Sequence, residues 1–145
     1  MKESSWDECI ECHSAIKITP DNKKAQSLLQ TADGRISYLE NNKPDESNAN
    51  YIFEGFYTSL TEYIHAIAHT AGYKITNHVC LGFFLRDVLK KEKLYRLFDD
   101  CRYNRNSLVY YGNRMDFDVA KDAIEKSKRL IKEVRLILTK ELKLK

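Results

Sequence analysis

Apolar side chains recur along most of the chain at steps of three and four residues, which places them on one stripe of a helix. Ala25, Leu28, Leu29, Ala32, Ile36 and Leu39 form the first such stripe, ending near Glu40. Before it, Thr19-Pro20-Asp21 offers a capping hydroxyl, a proline suited to the first helical position and an acidic first turn. A second helix is predicted from about Asn50 to Thr70, with Ile52, Phe53, Phe56, Leu60, Ile64 and Ile67 inward and Gly72 as its stop. A third starts near Thr76-Asn77 and carries Leu81, Phe84, Leu85, Val88 and Leu89. The fourth uses Leu94, Leu97, Phe98, Cys101 and Leu108 and ends at Gly112-Asn113. Asp116 or Asp118 caps the fifth, whose stripe is Ala123, Ile124, Leu130, Ile131, Val134, Ile137 and Leu138, followed by a basic tail from Lys140.

No strand-like alternation of useful length interrupts this pattern, and apart from the turn-rich stretch 41–50 the connections are short. The expectation is an all-α protein, an antiparallel four- or five-helix bundle spanning residues 19–142 as a single domain. Residues 1–18 are expected to form a short helix or a strap that packs Trp6 against the bundle. A chain of 145 residues with 43% hydrophobic side chains, five Gly and two Pro is large enough to fold around its own core. No internal repeat is visible.

Charge sharpens the picture. Residues 1–50 carry six basic and nine acidic side chains, 51–85 one and two, and 86–145 seventeen and ten, so the balance runs −3, −1 and +7. A basic C-terminal half either draws a polyanion such as RNA or solvates helix faces. The acidic start and the lack of a membrane-length apolar run predict a cytoplasmic protein without membrane contact. Four cysteines, Cys9, Cys12, Cys80 and Cys101, are too few and too scattered to staple a domain of this size, which predicts reduced thiols.

Arg105 breaks the fourth stripe, since a step of four from Cys101 lands on it. A guanidinium at an apolar position must meet an acid, such as Asp99, Asp100 or Glu62, reach out of the seam, or face a site built for anions. Arg102, Asn106 and Tyr110 lie at four-residue steps on the neighbouring strip, so their donors converge on one helical patch suited to phosphate. Tyr111 adjoins it, and Tyr51, Tyr63, Tyr73 and Tyr103 are further aromatics that could stack on bases.

Two other constellations carry metal-like spacing. Cys9-Ile-Glu-Cys12-His13 matches a c-type haem attachment pattern, and as a zinc site it needs a fourth ligand such as Cys80 or Cys101; its plain reading is a loop with two thiols. Glu62, His65 and His69 share a helix face with the spacing of a di-iron half-site, but no second half-site follows. Neither set is complete, so no metal and no cofactor is predicted. Nucleophile elbows and Gly-rich phosphate loops are absent.

The segment Arg105-Asn-Ser-Leu-Val-Tyr110-Tyr-Gly112 resembles the signature of the HEPN superfamily (higher eukaryotes and prokaryotes nucleotide-binding), in which an Arg, usually followed by a polar residue, precedes a His by a few positions. Gly72-Tyr73-Lys-Ile-Thr-Asn77-His78 resembles a junction of the same family, and the helix after Asp116 fits it, so the likeness covers about residues 20–140. The resemblance implies a homodimer in which the signature helices of both protomers meet at a cleft. In active members the Arg steadies an RNA phosphate there while the His performs acid–base chemistry without metal. It also implies a toxin–antitoxin setting with a minimal nucleotidyltransferase as partner. Here Tyr110 occupies the His position and no His follows His78. An unperturbed Tyr, with a pKa near ~10, is a poor base at neutral pH. The expectation is therefore RNA or nucleotide phosphate bound by Arg102, Arg105, Asn106 and Tyr111, with Arg105, Asn106 and Tyr110 as the catalytic positions and cleavage weak or lost. The alternatives are an active metal-independent endoribonuclease toxin, rescued by Tyr110 as an acid or by His78 or a histidine of the second protomer entering the cleft, and a protein-interaction module pairing with a nucleotidyltransferase.

Overall fold

A computed structural model of the chain describes residues 2–143. It contains α1 (Trp6–Glu11), β1 (Ala15–Lys17), α2 (Asn22–Glu40), α3 (Ala49–Ala71), β2 (Tyr73–Ile75), α4 (His78–Phe83), a π-helical turn (Phe84–Val88), α5 (Glu92–Tyr111) and α6 (Phe117–Glu141). The protein is mostly helical, as the periodicity predicts. α3 is apolar on most of its circumference, burying Phe53, Phe56, Tyr57, Leu60, Tyr63, Ile64 and Ile67 among others, so it takes the central place. α2 and α6 supply its two largest packing partners. α2 comes close because Gly55 offers no side chain: a Cβ there would lie 2.7 Å from Leu39 Cδ1. α5 docks through Phe98, which stacks on Tyr57 with ring centroids 5.9 Å apart.

Polar ties cross these seams. Arg35 of α2 pairs with Glu62 of α3, and Asp33 of α2 accepts from Tyr63 of α3 and from Arg135 of α6. Those bonds hold the Asp33 carboxyl below its ordinary pKa, the Arg135 pair contributing most. Asn50, buried at the start of α3, clamps the loop before α6: its Nδ2 donates to the Met115 carbonyl at 3.1 Å, and its Oδ1 accepts from the Met115 amide at 2.9 Å.

Several boundaries differ from the expected ones. α2 is capped by Asp21, whose carboxylate accepts from the Lys24 amide at 3.0 Å, so Thr19 and Pro20 lie outside the helix. Asp116 precedes α6 without a side-chain capping bond. Gly72 does end α3, at φ 87°, and a Cβ there would meet the Ile18 carbonyl oxygen at 3.0 Å. The sequence pattern predicts no strands, yet β1 pairs antiparallel with β2, Ala15 opposite Ile75 and Lys17 opposite Tyr73. Three residues each give too little alternation to be read.

The N-terminal segment straps down this ribbon and the π turn. Trp6, 8% exposed, sits edge-on to Tyr73 and Phe84, and its amide donates to Asp87 at 2.9 Å. The expectation of four reduced thiols is corrected here: Cys9 of α1 and Cys80 of α4 form a disulfide, while Cys12 and Cys101 are free. Sequence distance had argued against pairing, but the strap crosses 71 residues of chain to reach α4. A bridge across so long a loop restricts the unfolded chain by about 4 kcal/mol on the loop-entropy account. Among the described residues, no helix is long and apolar enough to cross a membrane.

Candidate functional site

The rotation of α5 is set by what it buries. Phe98 and Cys101 point into the core, where Cys101 Sγ lies 3.5 Å from Ser127 Oγ and burial raises its thiol pKa. With ~100° per residue, Arg102 and Arg105 then fall at the border of the buried face, beside the start of α4. Arg102, Arg105, Asn106 and Tyr110 line an open pocket of about 300 Å³ with Thr76, Asn77, His78 and Val79. The β2–α4 junction thus supplies the opposite wall. Asn77 fixes that junction by capping α4, its side chain accepting from the Cys80 amide at 2.8 Å.

Of the two arginines, Arg102 is the one paired with a carboxylate: its Nε and Nη2 reach Asp99 Oδ1 at 3.1 and 2.9 Å. Arg105 has no carboxylate partner among the described residues. Its Nη1 donates to Tyr110 Oη at 3.0 Å and, more weakly, to Asn106 Oδ1 at 3.5 Å. Its guanidinium carbon lies 5.1 Å from the Tyr110 ring centroid and 5.8 Å from that of Tyr57. Aromatic faces and neutral oxygens hold this charge in place, and they leave its full positive charge available to an anion.

His78 is the residue that sequence spacing could name but not locate. It is the first residue of α4 and half-buried in the pocket wall, with Nδ1 2.9 Å from the Tyr57 hydroxyl. Burial first, then the charges of Arg105 and Arg102, lower its pKa, so the ring is neutral at pH 7. Burial also pushes the Tyr57 pKa up, which keeps its hydroxyl protonated. With Nδ1 engaged by Tyr57, Nε2 is the nitrogen left for a ligand. It presents a lone pair when Nδ1–H donates to Tyr57, and an N–H when Tyr57 donates to Nδ1. Tyr57 lies four residues beyond Phe53 on an apolar stripe, so the sequence carries no sign of its polar use.

Other predicted residues fall elsewhere. Tyr111, expected among the phosphate contacts, is 75% exposed and does not line the pocket, because it sits one residue further round α5 than Tyr110. Glu62 is occupied by Arg35 rather than by Arg105. Tyr63 is fully buried and Tyr73 half-buried, which leaves Tyr51 and Tyr103 as exposed aromatics. His69 Nδ1 turns to the His65 carbonyl at 2.8 Å, and burial drives the His65 pKa down to about 4. Among the described residues, no group of three or more His, Cys, Asp or Glu side chains is arranged to hold a metal ion.

Larger grooves exist, among them one of about 540 Å³ between α2, α3 and α6 and one of about 520 Å³ beside the start of α5 and the end of α6. Asp33, Tyr63 and Arg135 of the first already satisfy one another, while the second is lined by Lys90, Lys91, Lys93 and Lys140 together with Glu92 and Glu133. No family model, curated protein or solved structure matches this chain.

Proposed function

We propose that the pocket between the β2–α4 junction and α5 binds a phosphate of RNA or of a nucleotide, in a HEPN-like bundle that acts as a homodimer. One observation carries the reading: Arg105 is half-buried, braced by Tyr110 and Asn106, and unpaired with any described carboxylate. A phosphate would take the Nε and Nη2 donors of its remaining edge in a bidentate bond, with Arg102 adding charge and Asn106 a further donor. The pattern Arg105, Asn106, Tyr110 on α5 resembles the HEPN signature, which favours RNA over other phosphates. Exposed Val109 and Tyr111 at the end of the same helix supply apolar surface for a second protomer. A cytoplasmic toxin–antitoxin setting, with a minimal nucleotidyltransferase as partner, follows from the same resemblance.

The test is the affinity of a short single-stranded RNA across a salt series, for wild type and Arg105→Ala. Loss of a charge-assisted contact is expected to weaken binding about tenfold or more and to flatten the salt slope by roughly one. Equal affinities and slopes remove the proposed site.

One observation favours cleavage as a second reading, namely the neutral His78 imidazole on the wall facing Arg105. In that reaction Nε2 accepts the 2′-hydroxyl proton as the 2′-oxygen attacks the adjacent phosphorus. The P–O5′ bond breaks, the 5′-oxygen takes a proton from water, and a 2′,3′-cyclic phosphate remains. Cleavage that survives EDTA and is lost in His78→Ala, with RNA affinity retained, would establish it; an RNA left intact by wild type would leave binding alone.

A further inference from the structure

We propose that Cys9, Cys12 and Cys80 form a thiol–disulfide exchange centre, in which the exposed Cys12 takes Cys9 from Cys80 and unties the turn of α4 that carries His78. The proposal is independent of what the pocket binds.

The geometry starts from α1. Cys9 lies inside this short helix and Cys12 is its C-terminal cap, one turn further along. Helical geometry sets their Cα atoms roughly 5 Å apart, inside the range that a disulfide spans. The bridge that exists instead, Cys9 to Cys80, has both sulfur-bearing residues at 0% exposure, so a dissolved thiol meets neither of them easily. Cys12 is free and exposed, and it is tethered beside the bridge. It is the port through which a buried bond can be exchanged.

The step balances without an added oxidant. The Cys12 thiolate attacks Cys9 Sγ, the Cys9–Cys12 bond forms and the Cys9–Cys80 bond breaks. Cys80 leaves as a thiolate and takes up the proton that Cys12 gave to solvent. In a second step a dissolved thiol of the glutathione class attacks the exposed Cys12 sulfur, forms a mixed disulfide and releases Cys9.

The consequence reaches the pocket through two residues. Cys80 holds α1 by its sulfur and holds the Asn77 cap by its amide, and His78 lies between Asn77 and Cys80. Losing the covalent tie cuts the first turn of α4 from α1 and leaves it held by the Asn77 cap, the His78–Tyr57 bond, its buried side chains and the β1–β2 ribbon. Trp6, the single tryptophan, packs between Tyr73 and Phe84 on the same strap and reports the change.

The experiment uses the full, air-oxidised chain in a glutathione redox buffer, quenched with acid, alkylated and mapped by mass spectrometry, with Trp6 emission and the His78 proton resonance followed in parallel. Wild type is expected to yield Cys9–Cys12 peptides with alkylated Cys80, a red-shifted Trp6 emission and a changed His78 titration. Cys12→Ser, a substitution at an exposed position, is expected to show Cys9–Cys80 alone, reduced roughly tenfold more slowly because the intramolecular attack is gone. Three results overturn the proposal: no Cys9–Cys80 bridge in the oxidised protein, equal reduction rates for the two proteins, or a Cys9–Cys12 bond that leaves Trp6 and His78 unchanged.

Discussion

Acid reaches His65 in the unfolded chain before it reaches it in the folded one. An unfolded histidine protonates near 6.5, whereas the folded His65 resists until about 4. The folded state is therefore disfavoured progressively as pH falls from 6.5 towards 4, and below that both states carry the proton. Across this window His65 is expected to remove about 3 kcal/mol of stability. Denaturant unfolding from pH 7 to pH 4 checks it: His65→Gln should lose most of the slope, and an unchanged slope would rule the assignment out. His78, also shifted down, adds in the same sense, while the depressed carboxyls of Asp33 and Asp87 act only at lower pH. Residues of this kind divide by how they announce themselves. Arg105 was legible because a charge on an apolar stripe is an anomaly. Tyr57, a tyrosine on an apolar stripe, is ordinary, and its partnership with His78 depends on how α3 and α4 meet. The disulfide was illegible for the same reason, since its sulfurs are brought together by tertiary packing.

Helices were easy to find because five or more apolar positions repeat on each long one, and burial follows that repeat: Leu29, Leu60, Phe98 and Leu130 are all inside. Their junctions were harder, because one or two residues decide them. Asp21 outcompeted Thr19 for the cap of α2, and the ribbon β1–β2 is too short to show a period. Two junction residues make measurable claims. Gly72→Ala places a side chain in the left-handed region and against the Ile18 carbonyl, and is expected to cost about 1–2 kcal/mol. Asn50→Ala leaves the Met115 amide and carbonyl unpaired at the loop before α6, and is expected to cost about 1–3 kcal/mol. Urea titration at neutral pH measures both, and a variant as stable as wild type would show that its junction is held by something else.

Along the whole chain, residues 86–145 carry a balance of +7, while the central helix α3 contributes only Glu54 and Glu62 as charged carboxylates. The bundle was visible in the sequence because this separation of apolar and basic segments is itself a sequence property. The pocket was only half visible, since α5 carried one wall and the β2–α4 junction supplied the other from a distant stretch. The bridge between Cys9 and Cys80 also has a topological meaning. It closes the chain from α1 to α4 into a covalent ring that contains α2, α3 and the exposed linker at 41–48. A protease that nicks this linker opens the ring without dividing the molecule. The nicked protein is expected to run as one band on a non-reducing gel and as two on a reducing one. Molecules in which Cys9 has moved to Cys12 are no longer rings, and the same cut separates them into two pieces even when no reductant is added.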